Sequence, residues 1–227
     1  FSPETGCPYW LDWAKNASWD PREKVQSFAD IMHFDNFDDE VLRKEDPAKF
    51  IPKAYEGRPY NVFETGGTTG MPKQRIGWED YKTDYTEFSN HYGPDFFPQG
   101  GNWLMVGPTG PRRLRLAIEH LANIRGGAAY FIDLDPRWVK RLIGMGEMQM
   151  AKAYQAHVID QAATIIRHRD IQCIFTTPKL LESLAERMSL ADAGIGGVFA
   201  GGTTMTPQYV RFIEEEGLEG KVNCAPT

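Results

Sequence analysis

The run Thr65-Gly66-Gly67-Thr68-Thr69-Gly70-Met71-Pro72-Lys73 holds the residue types from which a phosphate cradle is made. Its glycines let successive backbone N–H groups converge on an oxyanion. Its threonine hydroxyls add uncharged donors, and the Lys73 ammonium balances the remaining negative charge. It is not a Walker loop, because no Gly-Lys-Ser/Thr triplet follows Gly66 and Gly67 at the required spacing. Composition alone also describes a tight connection, so a structural turn and a phosphate site both stay open at this point. Glu64, just before the run, is either a pocket acid for a polar substrate group or an edge residue.

Other residues invite chemistry less strongly. Arg112, Arg113 and Arg115 stand at a helix start beside a Gly/Pro loop, where they either grip a carboxylate or phosphate or line a solvated helix face. The histidines form no ligand set: His157 and His168 share a helix but not the i,i+4 spacing of neighbours, so no metal site is expected. Cys173, in an apolar strand, reads as a small core residue. Met145, Met148 and Met150 read as packing or a mobile edge.

The elements that must hold these residues follow from pattern. A short helix is expected within residues 1–19. Asp20-Pro21-Arg22-Glu23 reads as a cap, a helix-opening proline and a reciprocal glutamate, starting a helix to about His33. Residues 35–59 read as a connecting segment of short turns. Val62 and its neighbours enter the Gly/Thr run as a strand, Gln74 to Trp78 returns from it as another, and Glu79 to His91 is helical. Strands are then expected at 102–106, 128–134, 171–175, 197–200 and 221–224. They alternate with helices at 112–124, 137–143, 148–167, 178–188 (capped by Thr177) and 206–217. The long helix would bury Ala151, Tyr154, Val158, Ala162 and Ile165. This alternation predicts an α/β fold, a largely parallel sheet flanked by helices. Sites in such sheets lie outside the carboxyl ends of the strands. Gly107 to Pro111, Thr176-Thr177 and Gly201-Gly202-Thr203-Thr204 all fall there, and with the Gly/Thr run they would enclose one cleft.

Composition excludes several classes. With 41% hydrophobic and 25% charged residues the chain reads as an ordinary soluble globular protein, and no apolar run approaches the roughly 18 residues of a spanning helix. A formal charge of -6 argues against a nucleic-acid binder, whose basic footprint displaces counterions. Three widely spaced cysteines suggest a reducing compartment, so a cytoplasmic location is expected.

Thr65 to Lys73 resembles the T-S-G-T-T-G-x-P-K signature of adenylate-forming enzymes: acyl-CoA and aryl-CoA synthetases, peptide-synthetase adenylation domains and luciferases. It departs at Gly66, where serine is usual, and Glu64 replaces the aromatic residue common before the signature. Ile174-Phe175-Thr176-Thr177-Pro178-Lys179-Leu180-Leu181 is similar to the segment whose following helix lines the acyl pocket. Phe199-Ala200-Gly201-Gly202-Thr203, with Thr206-Pro207, is similar to the G-G-E/A-P-L-T-P segment bordering the adenine. The branch resembled most is that of phenylacetate-CoA ligases.

The resemblance implies that this is an N-terminal adenylate-forming core, residues 1–59 being lead-in and 60–227 the α/β nucleotide-binding part. Thr65, Gly66, Gly67, Thr68, Thr69, Gly70 and Lys73 would embrace the β- and γ-phosphates of ATP, with Lys73 and Thr69 in catalytic roles. Gly201, Gly202 and Thr203 would contact the adenine of ATP or of AMP as product. The implied activity is ATP-dependent activation of a small, aromatic carboxylic acid as its acyl-adenylate, with coenzyme A, a carrier protein, another acceptor or none taking the acyl group. Mg2+ is implied too, but the family's glutamate ligand would fall beyond Thr227, as would the ribose-binding aspartate and the mobile C-terminal domain. No usual acyl-site gate is evident at Gly107 to Pro111. The alternatives are a relative that binds a nucleotide or small acid without catalysis, and an α/β partner-binding domain whose loop binds nothing.

Overall fold

The computed structural model describes residues 1–65, 70–202, 205–219 and 223–226. The chain divides into two compact units, Phe1–Trp78 and Glu79–Thr227.

The first unit is built on short elements and aromatic rings. Helix α1 (Pro8–Asn16) presents Trp10 and Trp13 to Phe34, which also meets Trp19 with ring centroids 5.0 Å apart, while Tyr9 lies 4.6 Å from Phe50. The single helix expected from Asp20 to His33 is instead broken in two. Asp20 caps α2 (Pro21–Lys24) by accepting from the Arg22 amide at 2.9 Å, and the helix stops after one turn. The reason lies at Asp30: its carboxylate accepts from the backbone N–H groups of Gln26 and Ser27 at 3.0 and 2.7 Å and from the Ser27 hydroxyl. A side chain that satisfies those amides removes their need for helical carbonyls, and a 3₁₀ turn over Phe28–His33 begins there. The reciprocal acid is thus Asp30 rather than Glu23. The connecting segment contains one more helical turn, α3 (Val41–Lys44), and 3₁₀ turns at Pro47–Phe50 and Lys53–Tyr55. Strands β1 (Asn61–Glu64) and β2 (Gln74–Gly77) form an antiparallel hairpin with Glu64 opposite Gln74. The hairpin that carries the Gly/Thr run therefore belongs to this first unit.

The second unit opens with α4 (Asp80–Ser89) and continues as β3 (Trp103–Gly107), α5 (Arg113–Ile124), β4 (Ala129–Asp133), α6 (Pro136–Gly144), α7 (Met148–His168), β5 (Cys173–Thr176), α8 (Pro178–Arg187), β6 (Gly197–Ala200), α9 (Pro207–Phe212) and β7 (Asn223–Pro226). Among the described residues these strands form one parallel sheet in the order β4-β3-β5-β6-β7. Every residue of β3, β5 and β6 is buried, as a parallel sheet covered on both faces requires. Leu104, Val106, Ile174, Val198 and Ala200 pack with α7 and α8 residues such as Val158, Ala162, Leu181 and Leu184. Phe175 and Phe199 alternate with these residues along their strands; their rings meet at 5.3 Å, and Phe199 also touches Tyr85 of α4.

Several boundaries differ from expectation. Tyr154 and Ile165 are half-buried rather than buried, and the Tyr154 hydroxyl accepts from the Asp135 amide at 3.0 Å. Thr177 occupies the cap position of α8 without a side-chain hydrogen bond, so Pro178 alone opens that helix. The last strand is Asn223–Pro226, two residues later than expected, because β6 pairs Gly197 with Asn223; Lys221 and Val222 lie outside the described residues. Helices α5 and α6 both end in a Schellman motif: Gly126 and Gly146 take φ values of +83° and +79°, and the next amides, of Gly127 and Glu147, reach back to the Ala122 and Leu142 carbonyls.

Candidate nucleotide site

The base of the Gly/Thr run is fastened twice. The Thr65 amide donates to the Lys73 carbonyl at 3.0 Å, and the Lys73 amide donates back to the Thr65 hydroxyl oxygen at 3.1 Å. The hydroxyl acts as acceptor there. One step down the hairpin, Gln74 donates from Nε2 to Glu64 Oε1 at 3.1 Å. Glu64, left open between pocket acid and edge residue, is a half-buried hairpin residue with a cross-strand partner. Gly70 has φ +134°, where an L side chain is strained even though open space surrounds it. Gly66, Gly67, Thr68 and Thr69, the centre of the run, lie outside the described residues.

Lys73 has company that the sequence did not reveal. Its side chain is only 21% exposed, and its ammonium is ion-paired to Asp39 and lies 4.0 Å from Glu40. Arg43, on α3, donates from Nη1 to the Met71 carbonyl and from Nε to Glu40 at 3.1 Å. The acidic segment read as a simple connection thus grips the exit of the run. No periodicity links residue 39 to residue 73, so pattern alone carries no signal for this pairing.

In the second unit, the predicted Gly/Thr stretches meet at the carboxyl edge of the sheet. The Thr176 hydroxyl donates to the Val106 carbonyl at 3.0 Å, and the Gly201 amide donates to the Thr176 carbonyl at 3.0 Å, so the ends of β3, β5 and β6 are tied in sequence. Gly202 follows with φ +86°; Thr203 lies outside the described residues. The Thr109 amide and hydroxyl both donate to Asp133 Oδ1, at 3.3 and 2.7 Å, joining the β3–α5 loop to the end of β4. From β3 the chain runs to β4 on one side and later returns to β5 on the other. This is the switch point at which open α/β sheets form ligand crevices.

Arg112 sits there with φ +68° and ψ −45°, and the Arg113 amide bonds the Pro111 carbonyl across it at 2.9 Å, a strained γ-turn. Of the three arginines considered as an anion grip, Arg113 is engaged by Asp80 and Asp84 at 3.0 and 2.6 Å, and Arg115 lies over the Phe131 ring. Cys173 is fully buried, and burial pushes its thiol up to about 12, which fits a core residue. Among the described residues, no group of three or more histidine, cysteine, aspartate or glutamate side chains is arranged to hold a metal ion, and no helix is long and apolar enough to cross a membrane.

Behind the Gly201 stretch, the Tyr209 hydroxyl of α9 donates to Glu182 of α8, which Lys179 also contacts at 3.1 Å. The Tyr209 bond first, then Lys179, holds the Glu182 carboxyl below its ordinary range. A depressed folded value adds stability that is present above the ordinary carboxylate pKa of about 4.3 and is lost as pH falls through the lower folded value. The Glu182→Gln variant should therefore melt below the parent protein at pH 7, by under about 1 kcal/mol for so exposed a pair. The gap should narrow as melting curves are recorded at pH values falling below the ordinary carboxylate pKa of about 4.3 and through the lower folded value. A gap independent of pH would contradict this role.

Solved structures with the same architecture include those of 2-hydroxyisobutyryl-CoA ligase. The open conformation, in complex with 2-HIB-AMP and CoA, matches 97% of this chain and 48% of its own length at 13% identity, with a TM-score of 0.58. The thioesterification state matches 97% and 44% at 15% identity, again with a TM-score of 0.58. The fold is that of the N-terminal core of adenylate-forming ligases. The chain spans about half the length of these ligases. The o-succinylbenzoate CoA synthetase of Bacillus subtilis, in complex with AMP, matches 69% of this chain and 27% of its own at 16% identity, with a TM-score of 0.47. No family model and no curated protein sequence matches the chain. On the adenylate-forming fold, the predicted residues divide between the units: Thr65, Gly70 and Lys73 stand on the first unit's hairpin, and Gly201 and Gly202 at the carboxyl edge of the second unit's sheet.

Proposed function

We propose that the chain is the nucleotide-binding core of an ATP-dependent adenylate-forming ligase that activates a small carboxylic acid, of aromatic type, as its acyl-adenylate. The observation that carries this reading is a Gly/Thr run with a lysine at its stem, fastened on a hairpin of a chain with the adenylate-forming fold. Thr65, Gly66, Gly67, Thr68, Thr69, Gly70 and Lys73 surround the β- and γ-phosphates, and Gly201, Gly202 and Thr203 border the adenine. The carboxylate attacks the α-phosphorus and pyrophosphate leaves. This chain's part is positioning and charge neutralisation, through amide and hydroxyl donors and the Lys73 ammonium, the kinds of contribution on which phosphoryl-type transfers rest. The Mg2+ such chemistry uses finds no carboxylate cage among the described residues, so no role is assigned to them in holding it. Coenzyme A is the acceptor that suits the fold's relatives, and the cytoplasm is the compartment that suits the cysteine usage.

The test is pyrophosphate exchange into ATP by the intact protein, over a panel of aryl and small alkyl acids. Acid-dependent exchange is expected, strongest with an aryl acid; no exchange with any acid contradicts the reading. Lys73→Ala and Thr69→Ala should each weaken ATP binding by about 1–3 kcal/mol, the scale of a lost hydrogen bond to a charged group, as read by calorimetric titration. Unchanged affinity in both would remove the phosphate role.

A further inference from the structure

Lys73 is the cation that a phosphate would need, and the structure shows it already occupied. Its ammonium is paired to the Asp39 carboxylate and lies 4.0 Å from Glu40, while Arg43 binds both Glu40 and the Met71 carbonyl two residues before Lys73. The side chains of Asp39, Glu40, Arg43 and Lys73 carry two negative and two positive charges, so the exit of the run is locally neutral. A polyphosphate meets an unpaired ammonium there only once Lys73 leaves Asp39. The pair can exchange: the Asp39 side chain is 56% exposed, so water reaches the carboxylate end of a contact whose lysine side is half-buried, and such partly exposed pairs are held weakly. An ammonium has three donors, so the transfer can pass through a state in which Lys73 touches carboxylate and phosphate together. Arg43 binds the Met71 carbonyl independently of the Lys73 ammonium.

We propose that Asp39 is a carboxylate latch, its carboxylate taking on Lys73 the place a phosphoryl oxygen would take, and that a polyphosphate ligand enters by displacing that carboxylate. This rests on the nucleotide reading above. It adds Asp39 as a residue that sets affinity without contacting the ligand, with Arg43 as a positioning residue for the run's exit.

The latch makes a prediction opposite to that of a structural ion pair. Asp39→Asn should tighten binding of ATP and of inorganic tripolyphosphate by about two- to fivefold, the scale of an exposed ion pair, whereas loss of a supporting contact would weaken it. In a Lys73→Ala background the gain should vanish. If it persists there, Asp39 acts by general repulsion and the latch is overturned. Equal or weaker binding by Asp39→Asn, with the melting temperature unchanged, overturns it as well. An independent arm reads the lysine without any ligand: acetylation of Lys73 by acetic anhydride, quantified by peptide mass spectrometry against the other lysines, should rise in Asp39→Asn. Unchanged labelling overturns the latch whatever the nucleotide does. Failure of the parent protein to bind ATP or tripolyphosphate, with labelling raised, instead removes the nucleotide reading and leaves the latch as a contact with no anion to release it.

Discussion

Gly127→Ala is expected to lower the stability of the second unit by about 3 kcal/mol or more, because the added methyl has nowhere to go. A Cβ at residue 127 would lie 1.9 Å from the Gly101 carbonyl oxygen and 2.7 Å from its carbon. Both are backbone atoms, so no side chain can rotate away. Residue 101 leads directly into β3, whose first amide, that of Trp103, donates to the Ala128 carbonyl at 2.8 Å. Moving either strand entry breaks the pairing that starts the β3–β4 ladder, and close-packed interiors transmit such a shift. For a unit of this size the loss corresponds to a fall in melting temperature of roughly 6–12 °C. Gly144→Ala is the control, since nothing lies within 4 Å of its Cβ position at the end of α6. It should be neutral or slightly stabilising, as alanine is the better helix former. Equal effects of the two substitutions would contradict the close approach.

Arg125→Met should be about as damaging, for an electrostatic reason. The Arg125 residue is 4% exposed, at the end of α5, and its guanidinium has neutral partners: it donates to the Ser89 carbonyl at 3.0 Å, to the Ser89 hydroxyl at 2.9 Å and to the Phe97 carbonyl. These bonds fasten the end of α4 and the 90–100 loop to α5. Methionine fills much of the volume but donates nothing, so the buried Phe97 carbonyl loses its donor at about 1–3 kcal/mol, while the Ser89 carbonyl keeps only the Tyr92 amide at 3.4 Å and the Ser89 hydroxyl loses its guanidinium partner. The expected loss is roughly 3 kcal/mol, read as a lower urea midpoint at unchanged slope. Arg125→Lys should rescue little, because one ammonium cannot span the two attachment points as a planar fork does. A midpoint within experimental error of the parent protein would show that the loop holds its place without the guanidinium.

The α/β architecture was legible because a sheet covered on both faces needs unbroken apolar strands. Leu104-Met105-Val106, Ile174-Phe175 and Val198-Phe199 supply them, with helix-opening prolines at Pro178 and Pro207 between. The Gly/Thr run stands out for a different reason: glycines and threonines beside a lysine suit an anion site, although the same composition also serves a tight turn. What was not legible depends on partners distant in sequence or on competition between neighbours. Asp30 ends a helix that proline and periodicity alone would extend, by satisfying the Gln26 and Ser27 amides itself. Asp39 reaches Lys73 across 34 positions with no pattern to announce it. Arg113 turns to Asp80 and Asp84, so a basic cluster that looks like an anion grip is partly consumed inside the protein. The γ-turn at Arg112 has no composition signature either, since glycine or asparagine would be the usual choice at a positive φ.

The central proposal is that the run ending in Lys73 and the Gly201-Gly202 turn each take part in binding nucleoside triphosphate. Amide NMR during an ATP titration tests it directly. The account predicts that the Thr65, Gly66, Gly67 and Gly70 amides and those of Gly201 and Gly202 shift together with a single dissociation constant, and that Lys73→Ala weakens both responses in parallel. Shifts confined to one group, or two groups responding with different constants, would contradict it.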